Sequence, residues 1–342
     1  MLMEFKAPIW LPDGHSQTIW SAKVAVTNTQ AIEWARRTWT TSDGDTIQVD
    51  SSNHEANGPV LVLFHGLEGS SASHYSRAFA QACAERGWTL VLPHFRGCGG
   101  PINMAPRAYH SGDAAEIDWM LNQVAKDYPN RPMVAVGVSL GGNALMRWAG
   151  EMGDKASQRV GAAVAISSPL DLVAAGHAID QGVNKWLYAR MFLSTMRQKA
   201  RLKWAQYPGL FDLDQALKAN TLEAFDDAFT APLHGFHGVM DYWTRASAKP
   251  VLQYIKVPAL LLNAGNDPFV PVRSLPNTTH VGTWVENHQP KNGGHVGFCQ
   301  SDAQAGWRTS VMEMPRAVCA WLAQASSTHR GQESSVAEVA YG

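Results

Sequence analysis

The chain has 342 residues, with 28 Lys and Arg against 29 Asp and Glu, so its formal net charge of −1 provides no positive field to hold a polyanion and excludes nucleic acid as a partner. Its four cysteines, Cys83, Cys98, Cys299 and Cys319, have neither metal-ligand nor disulfide-framework spacing, which suits a reducing compartment and points to no structural metal. No segment reads as a signal peptide or approaches the roughly 18 to 20 apolar residues that cross a bilayer, so the expectation is a soluble, cytoplasmic protein.

Residues 1–30 read as an arm without clear period, holding Gly14-His15-Ser16-Gln17-Thr18 between Trp10 and Trp20. Residues 37–41 and 46–50 alternate around Asp43-Gly44, which predicts an antiparallel hairpin. Residues 59–64 predict a wholly apolar strand ending on His65-Gly66-Leu67-Glu68-Gly69. A helix over 75–86, a strand over 88–92, a helix over 116–128 and strands over 133–138 and 161–167 follow. This alternation predicts a mostly parallel sheet of about eight strands covered by helices on both faces. Ligands of such sheets sit at the carboxyl ends of the strands.

The alternation stops at Pro169. Residues 171–250 are helical in pattern and rich in Trp, Met and Phe, and read as a helical cap inserted into a core made of 31–170 and 251–325. Strands over 257–263 and 280–286 and a helix over 311–322 complete that core, and the polar stretch 326–342 reads as a disordered tail.

The chemistry gathers on Gly137-Val138-Ser139-Leu140-Gly141-Gly142, between a buried strand and an amphipathic helix. In that context Gly-x-Ser-x-Gly is a nucleophile elbow: a strained turn lifts the serine hydroxyl clear, and glycines let strand and helix approach closely. An alcohol is a poor nucleophile at neutral pH, so Ser139 needs a neutral imidazole in reach and a carboxylate to orient it. Asp267 follows the strand over 257–263, and His295, in Gly293-Gly294-His295-Val296-Gly297-Phe298, follows the strand over 280–286. Both stand at strand ends, in the order Ser, Asp, His. The expected oxyanion donors are the backbone N–H groups of Leu140 and of Leu67, the latter in the loop after the strand over 59–64. His65 reads as a structural histidine beneath the site, and Glu68, Arg96, His110 and Asp113 as a polar network shaping the loops.

Taken with Phe95-Arg96-Gly97-Cys98, Tyr109-His110-Ser111-Gly112, Phe225-Asp226-Asp227, Thr230-Ala231 and the early Gly14-His15-Ser16-Gln17-Thr18, these motifs resemble the YheT-type esterases of the α/β-hydrolase superfamily across roughly residues 8–323. The resemblance implies an α/β-hydrolase fold and a carboxylic-ester hydrolase without cofactor or metal. Ser139 would be its nucleophile, His295 its base and Asp267 its acid. The implied partner is a small-molecule ester of short to medium acyl chain; eukaryotic members of the group are described as lipid esterases and as synthases of fatty-acid ethyl esters.

Two other readings use the same residues. Acyl transfer to an alcohol would employ the same triad, although none of the 13 histidines has an aspartate five positions on, so the His-x-x-x-x-Asp signature of other acyltransferases is absent. A non-catalytic ligand-binding module on this scaffold would have no reason to keep all three triad residues. Within the cap, Lys185, Arg190, Arg197, Lys199, Arg201 and Lys203 occur with no acid between Asp180 and Asp212. Trp186, Ala189, Leu193, Met196, Ala200 and Trp204 recur at steps of three and four. The pattern is a basic amphipathic helix whose apolar stripe is expected to pack on the sheet beneath it, with weak contact to an anionic membrane surface as the alternative.

Overall fold

The computed structural model describes residues 4–25, 32–301 and 309–340, with the side chains of the last helix through residue 328. Its main strands are β1 (Ala35–Thr40), β2 (Thr46–Ser52), β3 (Val60–Phe64), β4 (Thr89–Pro93), β5 (Met133–Val138), β6 (Ala163–Ile166), β7 (Ala259–Leu262) and β8 (Val285–His288). They form one sheet in the order β1-β2-β4-β3-β5-β6-β7-β8. β2 is antiparallel to both neighbours, and every other pairing is parallel. The last strand begins later than residue 280, because 277–282 are taken up in turns: the Asn277 side chain accepts the Thr279 N–H at 2.9 Å, and Val285 N–H donates to Gly282 O at 3.1 Å.

The helices are α1 (Gly14–Lys23), α2 (His74–Glu85), α3 (Ala114–Asp127) and α4 (Leu140–Met152), then, between β6 and β7, α5 (Leu172–Ile179), α6 (Gly182–Asn184), α7 (Arg190–Gln206), α8 (Leu213–Lys218), α9 (Leu222–Phe225), α10 (Ala231–Leu233) and α11 (Val239–Ala246), and last α12 (Glu313–Ala340). Side chains alternate across a strand, so Val60, Val62 and Phe64 pack with Ile117 and Leu121 of α3 and Leu145 and Trp148 of α4. Leu61 and Leu63 face the other way, onto Phe79 and Cys83 of α2 and Val318 and Leu322 of α12. Both faces are covered, which is why these strands read as unbroken apolar runs.

Two terminal segments differ from expectation. The arm contains α1, whose N-cap Asp13 exchanges hydrogen bonds with Ser16 in a capping box. Its buried face is Gly14, Gln17, Thr18 and Ser21, all small or polar, so no hydrophobic period marks it. At the other end the backbone of 326–340 is helical where a disordered tail was expected. No proline follows Pro315 to interrupt it, so the backbone can continue a helix already docked through Met314, Val318 and Leu322. Among the described residues no helix is long and apolar enough to cross a membrane.

Among the described residues, the block between β6 and β7 contains no strand. Its core joins Tyr188, Leu193, Phe211, Phe225 and Phe229 to Phe269, which lies in the loop after β7. α6, the π-helical turn Lys185–Ala189 and α7 run on as one helix. Ala189, Leu193 and Ala200 of the expected stripe are buried and Met196 is partly so, whereas Trp186 and Trp204 point outward. An i→i+5 turn inserts a residue and rotates what precedes it by about 100°, which carries Trp186 off the inner face. Lys203 takes the inner position beside Trp204, its ammonium donating to Asn103 O and Ala105 O at 2.7 Å each.

Candidate active site

Ser139 sits between β5 and α4 with φ 54° and ψ −120°, backbone that L residues adopt only under constraint. The constraint comes from its neighbours. A Cβ on Gly137 would lie 2.5 Å from Gly141 O, and one on Gly141 would lie 2.4 Å from Phe64 O, so only glycine permits helix, elbow and β3 to meet this closely. The Ser139 N–H donates to Ile166 O at 2.8 Å, fixing the turn to β6.

The three side chains named from sequence come together. Ser139 Oγ is 3.0 Å from His295 Nε2, and His295 Nδ1 is 2.9 Å from Asp267 Oδ2. The Asp267 side chain is fully buried, and its Oδ1 accepts the N–H groups of Phe269 at 2.8 Å and Val270 at 3.3 Å. That arrangement lets Nδ1–H donate to the carboxylate, leaving the Nε2 lone pair for the serine proton.

Leu67 and Leu140 both line the cavity into which Ser139 opens. Leu140 is the first residue of α4, where a backbone N–H has no acceptor within the helix. The loop bearing Leu67 runs against the elbow: a Cβ on Gly66 would stand 3.1 Å from Ser139 Cβ. His65 is fully buried between loops, with Nδ1 2.7 Å from Gly66 O and Nε2 accepting the Phe95 N–H at 3.1 Å. Burial, with His94 nearby, pushes its pKa down to about 3, so it is a neutral structural histidine at pH 7.

The expected polar network divides in two. Glu68 accepts from Tyr109 Oη and from Lys199 Nζ of the cap, each at 2.7 Å. Arg96 instead pairs with Asp43, Asp45 and Glu116, while His110 Nε2 lies 3.8 Å from Asp113. The cap is also bolted to the elbow helix by Asn143, whose amide donates to Ser111 O and Ala246 O at 2.9 Å each and accepts the Ala248 N–H at 2.9 Å. Among the described residues no cluster of three or more His, Cys, Asp or Glu is arranged to hold a metal ion.

α1 supplies residues to which the sequence reading gave no role in the site. Thr18 Oγ1 accepts the His295 N–H at 2.8 Å, and Gln17 Oε1 accepts from Gly293 N–H at 2.9 Å and from the Asn266 amide at 3.1 Å. Gly14 packs so tightly that a Cβ there would fall 1.8 Å from Asn266 O. One short helix thus clasps the loop of His295 and the turn of Asp267 together. The signal in the sequence was Gly14-His15-Ser16-Gln17-Thr18 itself, a dense polar motif with no other evident task.

His74, at the start of α2, holds the next residue of the same loop: its Nε2 is 3.0 Å from Val296 O. Burial pushes its pKa down to about 4, opposed by the bond to Val296 O and aided by the nearby His295. Between that value and the unfolded value of about 6.5 the unfolded chain binds more protons, so this contribution is complete above pH 6.5 and lost as pH falls toward 4. His74→Gln keeps a donor for Val296 O but cannot titrate. Its stability deficit against wild type, read from urea titrations, should therefore shrink by about 2 kcal/mol between pH 7 and pH 5; a deficit independent of pH would contradict this assignment.

The cavity in front of Ser139, with its opening to solvent, spans about 1140 Å³ of space free of protein atoms and is lined largely by apolar side chains of the cap, including Leu172, Ile179, Phe192, Met196, Phe225 and Phe229. Comparison with known proteins agrees with this architecture. The model of the alpha/beta hydrolase fold matches residues 59–302. The Escherichia coli (strain K12) protein named "Putative esterase YheT" is 37% identical over 261 residues, covering 75% of this chain and 76% of that one. The Homo sapiens protein named Phospholipase ABHD3 is 27% identical over 302 residues, covering 85% of this chain and 73% of that one. Among solved structures, the alpha/beta hydrolase GrgF from Penicillium sp. sh18 has a TM-score of 0.54 at 19% identity, over 87% of this chain and 99% of that one, a likeness of fold. The chain belongs to the α/β-hydrolase superfamily and, within it, to the group that includes YheT.

Proposed function

We propose that this protein is a serine esterase that cleaves carboxylic esters of short to medium acyl chain through an acyl-enzyme. The observation that carries the reading is the continuous line of contacts from Ser139 Oγ through His295 to Asp267 at the wall of an apolar cavity. Ser139 Oγ attacks the carbonyl carbon while His295 Nε2 takes its proton, and buried Asp267 stabilises the imidazolium. The oxygen that becomes negative is met by the N–H groups of Leu67 and Leu140, where a single such donor contributes about 2.7 to 4 kcal/mol to the transition state. Collapse expels the alcohol, which leaves with the proton from His295. Water then enters by the same route, giving the acid and returning the proton to Ser139.

Apolar lining from the cap favours an acyl chain as the buried part of the substrate, and the phospholipase name of the human relative agrees with a lipid-derived ester. A series of p-nitrophenyl esters from acetate to laurate tests the reading. We expect turnover throughout the shorter members, falling off where the chain outgrows the cavity, with free acid as the product even when ethanol is added. Ethyl ester as the main product would reassign the activity to acyl transfer, and no turnover of any member would remove the reading.

A further inference from the structure

The helix that runs from α6 through the π turn into α7 uses its two faces differently. Inward, Phe192, Met196, Lys199 and Lys203 line the cavity. Outward, Val183, Trp186, Leu187, Met191 and Leu202 are 63%, 70%, 42%, 45% and 52% exposed. Their spacing puts them along one side of the helix, with exposed Arg190 and Arg201 among them and the Arg190 guanidinium 5.3 Å from the centre of the Trp186 ring. A helix on the surface of a protein surrounded only by water turns its large apolar groups toward the core. This one has apolar groups on both sides.

The charge on the outer face is of one sign. Of the six basic residues, Arg197 donates to Ala219 O, Lys199 to Glu68 and Lys203 to backbone carbonyls, so all three are occupied within the fold. Arg190 and Arg201 are left at the surface beside half-buried Lys185, and no acid occurs between Asp180 and Asp212 to neutralise them. Exposed Trp, Leu, Met and Val interleaved with Arg form the pattern of an interfacial helix, in which apolar groups enter the acyl boundary and cations stay with anionic headgroups.

We propose that the outer face of this helix, from Val183 to Leu202, docks the protein on an anionic lipid bilayer. The cap's cavity-lining face would then lie about one helix diameter, roughly 10 Å, from the lipid. The docking goes beyond the chemistry at Ser139 and does not depend on it, because binding is read without any turnover.

The test is co-sedimentation of the full chain with vesicles of equal parts dioleoyl phosphatidylglycerol and dioleoyl phosphatidylcholine at low salt. Wild type is expected in the pellet, with affinity reduced about tenfold or more in Trp186→Ser/Leu187→Ser/Met191→Ser and by about fivefold for each of Arg190→Gln and Arg201→Gln. Binding should also weaken in about 0.5 M salt and on vesicles of phosphatidylcholine alone. Thermal melting of the variants at wild-type temperature shows that the fold is unchanged, since all five residues face outward. Wild type absent from the pellet overturns the proposal, as does equal pelleting of wild type and the triple variant. A wild-type dimer in light scattering that the triple variant returns to monomer, without pelleting of either, overturns it in favour of a second copy of the chain as the occupant of this face.

Discussion

Ser139→Ala is expected to lower kcat on p-nitrophenyl butyrate by about a millionfold, because removing the nucleophile forfeits everything the imidazole and carboxylate supply to it. What remains would be turnover assisted only by the oxyanion donors and by binding. The loss is expected without unfolding, since the alanine methyl occupies the place of the serine Cβ. The companion variant Ser139→Gly separates chemistry from strain. At φ 54° and ψ −120° a side chain costs about 1 to 3 kcal/mol, and glycine, after its own greater unfolded-state entropy, should recover roughly 1 kcal/mol of that. Inactivity with raised stability in denaturant titrations is thus the expected pair of results; a Ser139→Gly protein less stable than wild type would show that the elbow stores no strain.

The second large effect is expected far from the elbow in sequence. Thr18→Val preserves shape and removes the acceptor of the His295 N–H, so the loop is free to shift. A displacement of about 1 Å in a catalytic group costs up to about 100-fold, and the loss should fall on kcat with KM unchanged, because Thr18 does not line the cavity. Thr18→Ser restores the acceptor and should restore most of the rate. Gln17→Leu should do more damage to stability, because it leaves the Gly293 N–H, the Asn266 amide and the Leu11 carbonyl without their partner; about 3 kcal/mol is expected. If Thr18→Val and Thr18→Ser have the same kcat as wild type, α1 is packing alone and does not position the histidine.

What was legible in the sequence follows from where each constraint resides. The nucleophile elbow is a local requirement, with strand, glycine, serine, glycine and helix all within about fifteen residues, so Ser139 could be read directly. Asp267 and His295 could be read because strand ends and chain order limit the candidates. α1 was hidden because its buried face is Gln17, Thr18 and Ser21, which satisfy backbone groups of another loop instead of filling a hydrophobic core. Arg96 was assigned to the right kind of network but not to its partners. Asp43 and Asp45 lie in the turn between β1 and β2, and only the sheet order brings that turn to the loop after β4. The cap resisted for a different reason. Its stripe had correct helical spacing, but a single π turn at Lys185–Ala189 changes which residues face inward, and no periodicity argument contains that insertion.

The central claim is that His295 activates Ser139. Reaction with a fluorophosphonate, followed by intact mass and peptide mapping, tests it most directly. One adduct per chain on the peptide containing Ser139 is predicted, with labelling slowed at least about a thousandfold in His295→Ala, which leaves the hydroxyl without its base. Labelling of His295→Ala at the wild-type rate, or an adduct on any other residue, would contradict the account.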